Sequence, residues 1–192
     1  PTLHIKYNES SAVLAGDALQ SLAILLIAED KYLDTSEKIT LIKSLCETVG
    51  HNGMILGQYL DLKFEDTDPS STEIIEMYGL KTSLLIEFSI ISPLIICNKL
   101  NDDWKDLARC IGISFQLIDD LIDVTQPTEI IGKTASKDIE SKKKTLPLTE
   151  GIGKSQKIIE EYKLKAFEKL HILDLDSHPL KKYVDDLFRR VN

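Results

Sequence analysis

Apolar residues recur every three or four positions along almost the whole chain, the period of a helix with one buried face. Strand-like alternation bounded by hairpin turns does not stand out. Ser11–Glu29 carries Leu14, Ala18, Leu22 and Leu25 at helical spacing, and Ser36–Lys63 continues in the same style. Asp66–Ser71 reads as a loop closing on a helix cap. A helix over Glu73–Asn98 follows, with a kink or break expected at Pro93. Asn101-Asp102-Asp103 caps the next helix, which runs to about Val124; Thr125–Thr134, with Pro127 and Gly132, is a loop. Lys154–Leu170 and Leu180–Val191 are two more amphipathic helices. No repeat of 20–50 residues is evident. The pattern predicts an all-α fold, one domain over residues 1–192, built as a bundle of long, mostly antiparallel helices.

Leu107–Val124 is the most informative stretch. Leu107, Ile111, Phe115, Ile118 and Ile122 form one apolar stripe. Beside it run Gln116, Asp119, Asp120 and Asp123, with Asp119 and Asp123 stacked at i, i+4. Like charges at that spacing repel, and no Lys or Arg occurs between Arg109 and Lys133 to relieve them. A bound cation would resolve the conflict, and carboxylate oxygens suit magnesium. The alternative is a solvated acidic face. Two other acidic pairs are explained that way. Asp185-Asp186 has Lys181, Lys182, Arg189 and Arg190 within a turn, and Asp102-Asp103 sits where a helix dipole favours acid.

Composition narrows the class. A net charge of −8 over 192 residues argues against non-specific nucleic-acid binding. Cys46, Cys97 and Cys110 are dispersed, with no CxxC pair, which indicates neither a zinc site nor a disulfide scaffold and points to a reducing, cytoplasmic setting. The longest uncharged apolar runs, Ala18–Ala28 and Phe88–Asn98, are short of the ~20 residues a bilayer requires, so no transmembrane segment and no signal peptide is expected.

Gly112-Ile-Ser-Phe-Gln-Leu-Ile-Asp-Asp-Leu-Ile-Asp123 resembles the second aspartate-rich motif of trans-type prenyl diphosphate synthases of the farnesyl/geranylgeranyl type. Further segments match that family in order: Pro1-Thr-Leu-His4 with Ala15-Gly-Asp-Ala-Leu19, Gly53-Met-Ile-Leu-Gly-Gln-Tyr-Leu-Asp-Leu62, Lys81-Thr-Ser-Leu84, and Ile131-Gly-Lys-Thr-Ala-Ser-Lys-Asp138 followed by Lys142-Lys-Lys-Thr145 and Pro147. The resemblance implies an isoprenoid synthase-type helical fold. It also implies a magnesium-dependent prenyltransferase that ionises an allylic diphosphate (dimethylallyl, geranyl or farnesyl) and couples it to isopentenyl diphosphate. By resemblance Asp119, Asp120 and Asp123 hold Mg2+ against the allylic diphosphate, with Gln116 bonding near the same group. Lys81 and Lys133 bind diphosphate oxygens, and Thr82 sits near the carbocation. Lys143 is the best match to a later lysine in the family, within a one-residue register choice over Lys142–Lys144; His4 joins the substrate-binding set, and Asp138 is an outer partner. A homodimer through helices near the Ala15–Leu19 segment is implied as well.

Each of these residues also has a plain structural reading. Lys81 could snorkel beside its apolar run, Lys142–Lys144 could be a solvated loop, and Gly53 and Gly57 could serve only close helix packing. Arg189 and Arg190 have two readings, approach to isopentenyl diphosphate or surface pairing with Asp185 and Asp186. In the family a first aspartate-rich motif and an Arg-Arg-Gly precede the Pro-Thr-x-His segment, at which this sequence begins. The sequence is therefore expected to be the C-terminal two-thirds of a longer enzyme and, alone, inactive in prenyl transfer. A non-catalytic partner subunit and a class I terpene cyclase remain as alternatives.

Overall fold

The computed structural model describes residues 1–125 and 143–190. These form helices and connecting turns, with no strand among the described residues, as the periodicity predicts. The chain divides into two compact units, Pro1–Cys46 and Glu47–Asn192.

The first unit holds a short helix α1 (Leu3–Lys6), the long α2 (Glu9–Glu29) and most of α3 (Thr35–Val49). Asn8 starts α2 by accepting the Ser11 amide at 2.7 Å, which satisfies one of the unpaired N–H groups of the first turn. No residue of α2 is buried.

The second unit holds α4 (Met54–Phe64), α5 (Ser71–Tyr78), a π-helical turn (Gly79–Ser83), α6 (Leu84–Ile96), α7 (Asp102–Thr125), α8 (Leu146–Glu150), α9 (Ile152–Ile172) and α10 (Pro179–Arg189). The helix expected over Ser36–Lys63 is two helices. They part at Gly50–Gly53, where a Cβ on Gly53 would stand 2.2 Å from the Thr48 carbonyl oxygen, so the chain turns back tightly on itself there. Ser70 and Glu73 start α5 as a reciprocal capping box. Asn101 caps α7 by accepting the Trp104 amide at 3.0 Å.

The break expected at Pro93 lies elsewhere. Pro93 sits in the last turn of α6, which continues to Ile96. Only the carbonyl of Ser89 loses an i+4 partner there, and Ser89 is exposed to water. The irregularity falls instead at Gly79–Ser83, where the Leu84 amide bonds back five residues to the Gly79 carbonyl.

α7 is the centre of the unit. Leu107, Ile111, Leu117 and Ile118 are fully buried, against Ile74, Met77 and Tyr78 of α5, Leu146 of α8, Ala166 and Leu170 of α9, and Val184 and Phe188 of α10. The Tyr78 hydroxyl accepts the Leu146 amide at 2.9 Å, so α8 is pinned to α5 by a buried bond. Lys169 of α9 pairs with Asp103 at 2.7 Å and Asp106 at 2.8 Å, tying α9 to the first turns of α7. At the other end, Asp185 takes Lys181 and Asp186 takes Arg189, the surface pairing expected of that acidic doublet.

Two helices, Glu9–Glu29 and the composite Ser71–Ile96, are long and apolar enough to cross a membrane by length and composition. Both are longer than the uninterrupted apolar runs of the sequence, because Asp17, Lys81 and Glu87 interrupt the runs without interrupting the helices.

Gly112 and Gly57 carry the close packing of α7 and α4 against the π-helical turn. A Cβ on Gly112 would meet Ser83 Oγ at 2.2 Å and Ser83 Cα at 2.6 Å; on Gly57 it would meet the Lys81 backbone nitrogen at 2.3 Å. Gly112→Ala and Gly57→Ala are each expected to destabilise the protein by about 1–3 kcal/mol. Gly153→Ala, with nothing within 4 Å, should be neutral or mildly stabilising. Urea unfolding of the three variants checks this ordering.

Candidate active site

The π-turn presents Lys81 and Thr82, and three neighbours fix them. Gly57 lets α4 touch the turn's backbone at Lys81, and Gly112 lets α7 touch it at Ser83. Asp61, one helical turn after Gly57, takes the Lys81 ammonium at 2.5 Å, with both side chains less than one-fifth exposed. On the α7 side, Thr82 Oγ1 donates to Gln116 Oε1 at 2.7 Å, and Gln116 Nε2 donates to Asp120 Oδ1 at 2.7 Å. A carboxylate only accepts, so Asp120 sets the Gln116 amide, and the amide oxygen then sets the Thr82 hydroxyl proton. This relay leaves the lone pairs of Thr82 Oγ1 available on its other side.

The aspartates of α7 separate by environment. Asp120 is 4% exposed and faces Gln116. Asp119 is half-exposed, with the Arg190 guanidinium 3.8 Å away. That guanidinium also lies over the Phe115 ring, 5.7 Å from its centroid. Asp123 Oδ2 is buried, with no hydrogen-bond partner among the described residues. The expectation that the stripe lacks a nearby cation holds only along the sequence; α10 brings Arg190 to it through space. Nor is Arg190 spent on the surface pairing with Asp185 or Asp186 that one sequence reading gave it.

No group of three His, Cys, Asp or Glu side chains converges on a common metal position among the described residues. Within the motif, Asp120 Oδ1 accepts from Gln116, while Asp119 and Asp123 stand as an i, i+4 pair on the same helix. That pair still fits magnesium. The ion takes hard oxygen donors, commonly one or two carboxylates with phosphate and water completing the shell, and Asp123 offers a buried oxygen without a partner.

Next to the turn lies a cavity of about 500 Å³ lined by Lys81, Thr82, Leu85, Ile86, Ser89, Phe115 and Tyr183. One pole is cationic and hydroxylic, and the walls are mostly aliphatic and aromatic. Such a space suits an amphiphile with an anionic head and an apolar body.

The remaining expected residues divide as follows. Lys143 is half-buried before α8 and does not line the cavity; its neighbour Lys144 pairs with Asp68 at 2.9 Å. His4 belongs to the first unit, its Nε2 3.4 Å from Thr2 Oγ1. Lys133, Asp138 and Lys142 lie outside the described residues. Sequence reasoning gave no role to Asp61, although it stands in the quoted Gly53–Leu62 segment, nor to Tyr183 or Glu87.

Glu87 sits behind the turn. Its Oε1 accepts the Ser83 hydroxyl at 2.6 Å. Burial pushes its carboxyl above the usual range, against the opposing pull of that hydrogen bond and of Arg109. A carboxyl raised in the folded state binds more protons there than in the unfolded chain, so stability falls as pH rises from the ordinary carboxylate range through the raised pKa. Glu87→Gln keeps an acceptor without the charge. Melting temperatures measured from about pH 4 to about pH 8 should show the variant gaining on the parent protein toward neutrality, with the two closest at the acid end.

Residues 1–174 match the polyprenyl synthetase family model. The chain is 35% identical over 178 residues to geranylgeranyl pyrophosphate synthase 3, chloroplastic, of Arabidopsis thaliana, covering 88% of this chain and 49% of that protein. It is 36% identical over 180 residues to geranylgeranyl pyrophosphate synthase, chloroplastic, of Catharanthus roseus, covering 91% and 50% respectively. The chain thus spans about half the length of the curated relatives it matches. Its fold superposes, with a TM-score of 0.83, on geranyltransferase from Helicobacter pylori complexed with magnesium and isoprenyl diphosphate. That match is 32% identical and covers 98% of this chain and 63% of the other.

Proposed function

This chain belongs to the polyprenyl synthetase family, and we propose that it supplies the allylic-diphosphate side of a prenyl transfer site. The protein that carries it condenses isopentenyl diphosphate with an allylic diphosphate to give a longer isoprenoid diphosphate. The observation that carries this reading is the open cavity in which Lys81 and Thr82 adjoin an apolar wall that includes Phe115, with Tyr183 also lining it.

Each residue's part follows from its surroundings. Lys81, held in place by Asp61, presents an ammonium to diphosphate oxygens and offsets the charge that grows as the C–O bond breaks. Thr82, its proton committed to Gln116, turns oxygen lone pairs toward the allylic carbon as that carbon becomes cationic. Gln116, anchored by Asp120, has a second Nε2 hydrogen for the diphosphate. Phe115, Leu85 and Ile86 supply the apolar wall for the allylic chain. Asp119 and Asp123 would hold magnesium, which when bound would supply Lewis-acid stabilisation of the departing pyrophosphate. The double bond of isopentenyl diphosphate then attacks the cation and a proton is lost.

A second copy of the chain is the proposed partner of α2. Leu14, Leu19, Leu22 and Leu26 are 45–66% exposed on a helix with no buried residue. Asp17 near its middle would be costly in a bilayer core.

Two measurements test these readings. Calorimetry with a non-ionisable thio-analogue of geranyl diphosphate should show binding that requires Mg2+ and disappears with chelator. Asp119→Asn, Asp123→Asn and Lys81→Ala should each weaken it by about tenfold or more, ~1.4 kcal/mol. Binding indifferent to the metal and to these residues would sink the assignment. Sedimentation should give a dimer, and Leu22→Glu with Leu26→Glu should shift it to monomer; a parent chain that sediments as a monomer removes the second copy from the account.

A further inference from the structure

We propose that Glu87 is a positioning residue for the diphosphate site: from behind the π-turn it fixes Ser83, and through Ser83 it holds Lys81 and Thr82 at the cavity. The inference rests on the assignment of Lys81 and Thr82 to diphosphate binding.

Ser83 is the last residue of the turn and is completely buried. Its hydroxyl has one proton and two nearby acceptors, Glu87 Oε1 at 2.6 Å and the Arg109 carbonyl at 3.4 Å. The shorter contact, to a carboxylate, takes the proton. The same Oγ is the atom that Gly112 approaches, so the place where Glu87 sets this oxygen is the place where α7 bears on the turn. Gly79, the first residue of the turn, lies under Arg109, whose guanidinium is 3.3 Å from the point a Cβ would occupy. Arg109 is also the cation whose charge acts on the Glu87 carboxyl. One end of the five-residue turn is thus bonded by Glu87 and the other lies beside Arg109, while Lys81 and Thr82 stand between them.

Such a clamp has a physical reason. A π-turn has poorer hydrogen bonding than an α-helix and persists where its surroundings over-determine it. Glu87 does not line the cavity, so it takes no direct part in the chemistry. Half-burying a carboxylate is costly, and a residue serving packing alone would do better as an apolar side chain. The charge is explained if it fixes a hydroxyl whose displacement would carry the diphosphate-binding residues with it.

The test is the affinity of the purified chain for inorganic pyrophosphate with Mg2+, read by calorimetry beside the melting temperature of each variant. Glu87→Ala is expected to weaken binding by about tenfold or more, since displacement of a site by about 1 Å has effects of that order or greater. Glu87→Gln, which retains an acceptor for Ser83, should stay within about threefold of the parent, ~0.7 kcal/mol or less. Ser83→Ala, a minimal change that guards against failure of Glu87→Ala to fold, should match the loss of Glu87→Ala, and the double variant should lose no more than either alone. On a Lys81→Ala background Glu87→Ala should add little. The proposal is overturned if Glu87→Ala and Ser83→Ala bind pyrophosphate like the parent, if Glu87→Gln loses as much as Glu87→Ala, or if the loss persists in full without Lys81. A parent chain that binds no pyrophosphate would overturn the diphosphate site itself, and this proposal with it.

Discussion

Everything at the site depends on backbone contact at the π-turn. Two helices meet one five-residue segment at distances that admit no Cβ, α4 through Gly57 and α7 through Gly112. Tight contact of this kind transmits position with little slack, because displacing the turn would open voids or create overlaps on both sides. Lys81 and Thr82 thereby inherit a fixed relation to Asp61 on one helix and to Gln116 and Asp120 on the other. The site is built on helices, and its most irregular element is held by neighbours on two sides.

Charge is distributed to match. The chain is acidic overall, and the charged residue that lines the cavity is Lys81, itself paired with Asp61. Three aspartates within two turns of α7 repel one another, and the fold handles them differently. Asp120 is buried and accepts the Gln116 amide on one oxygen, Asp119 stands near Arg190, and Asp123 has an oxygen without a hydrogen-bond partner among the described residues. An isolated helix would need lysines along its own sequence to relieve such a cluster. Here part of the relief comes from Arg190 at the end of α10, and the proposed magnesium would supply the rest.

Much of this was legible in the sequence, for reasons that can be named. Helical periodicity located α2, α7, α9 and α10 within a few residues, because each buries or presents a continuous apolar stripe. The motif segments containing Lys81, Thr82, Gln116 and the aspartates stood out because unusual residue types recur there at fixed spacing, and the structure brings Thr82, Gln116 and Asp120 into one hydrogen-bonded chain. The division of Ser36–Lys63 at Gly50–Gly53 was less visible, since glycine in a helical pattern signals close packing as readily as a turn. The π-turn at Gly79–Ser83 is hidden in the sequence for a similar reason. Proline is the familiar breaker, whereas a π-turn leaves no composition signal of its own.

The sequence by itself determined the helical class, the amphipathic faces and which side chains the proposed diphosphate and metal site has to draw on. These are local properties, fixed by side-chain chemistry and by a period of three to four residues. Only the tertiary structure decided which aspartate is turned inward, which arginine reaches Asp119, that Asp61 steadies Lys81, and that Tyr183, a hundred residues on from Lys81, shares its cavity. Those relations join residues distant along the chain. They exist only once glycine-lined contacts bring the helices together, and a periodicity read within one helix carries no information about what another helix will place beside it.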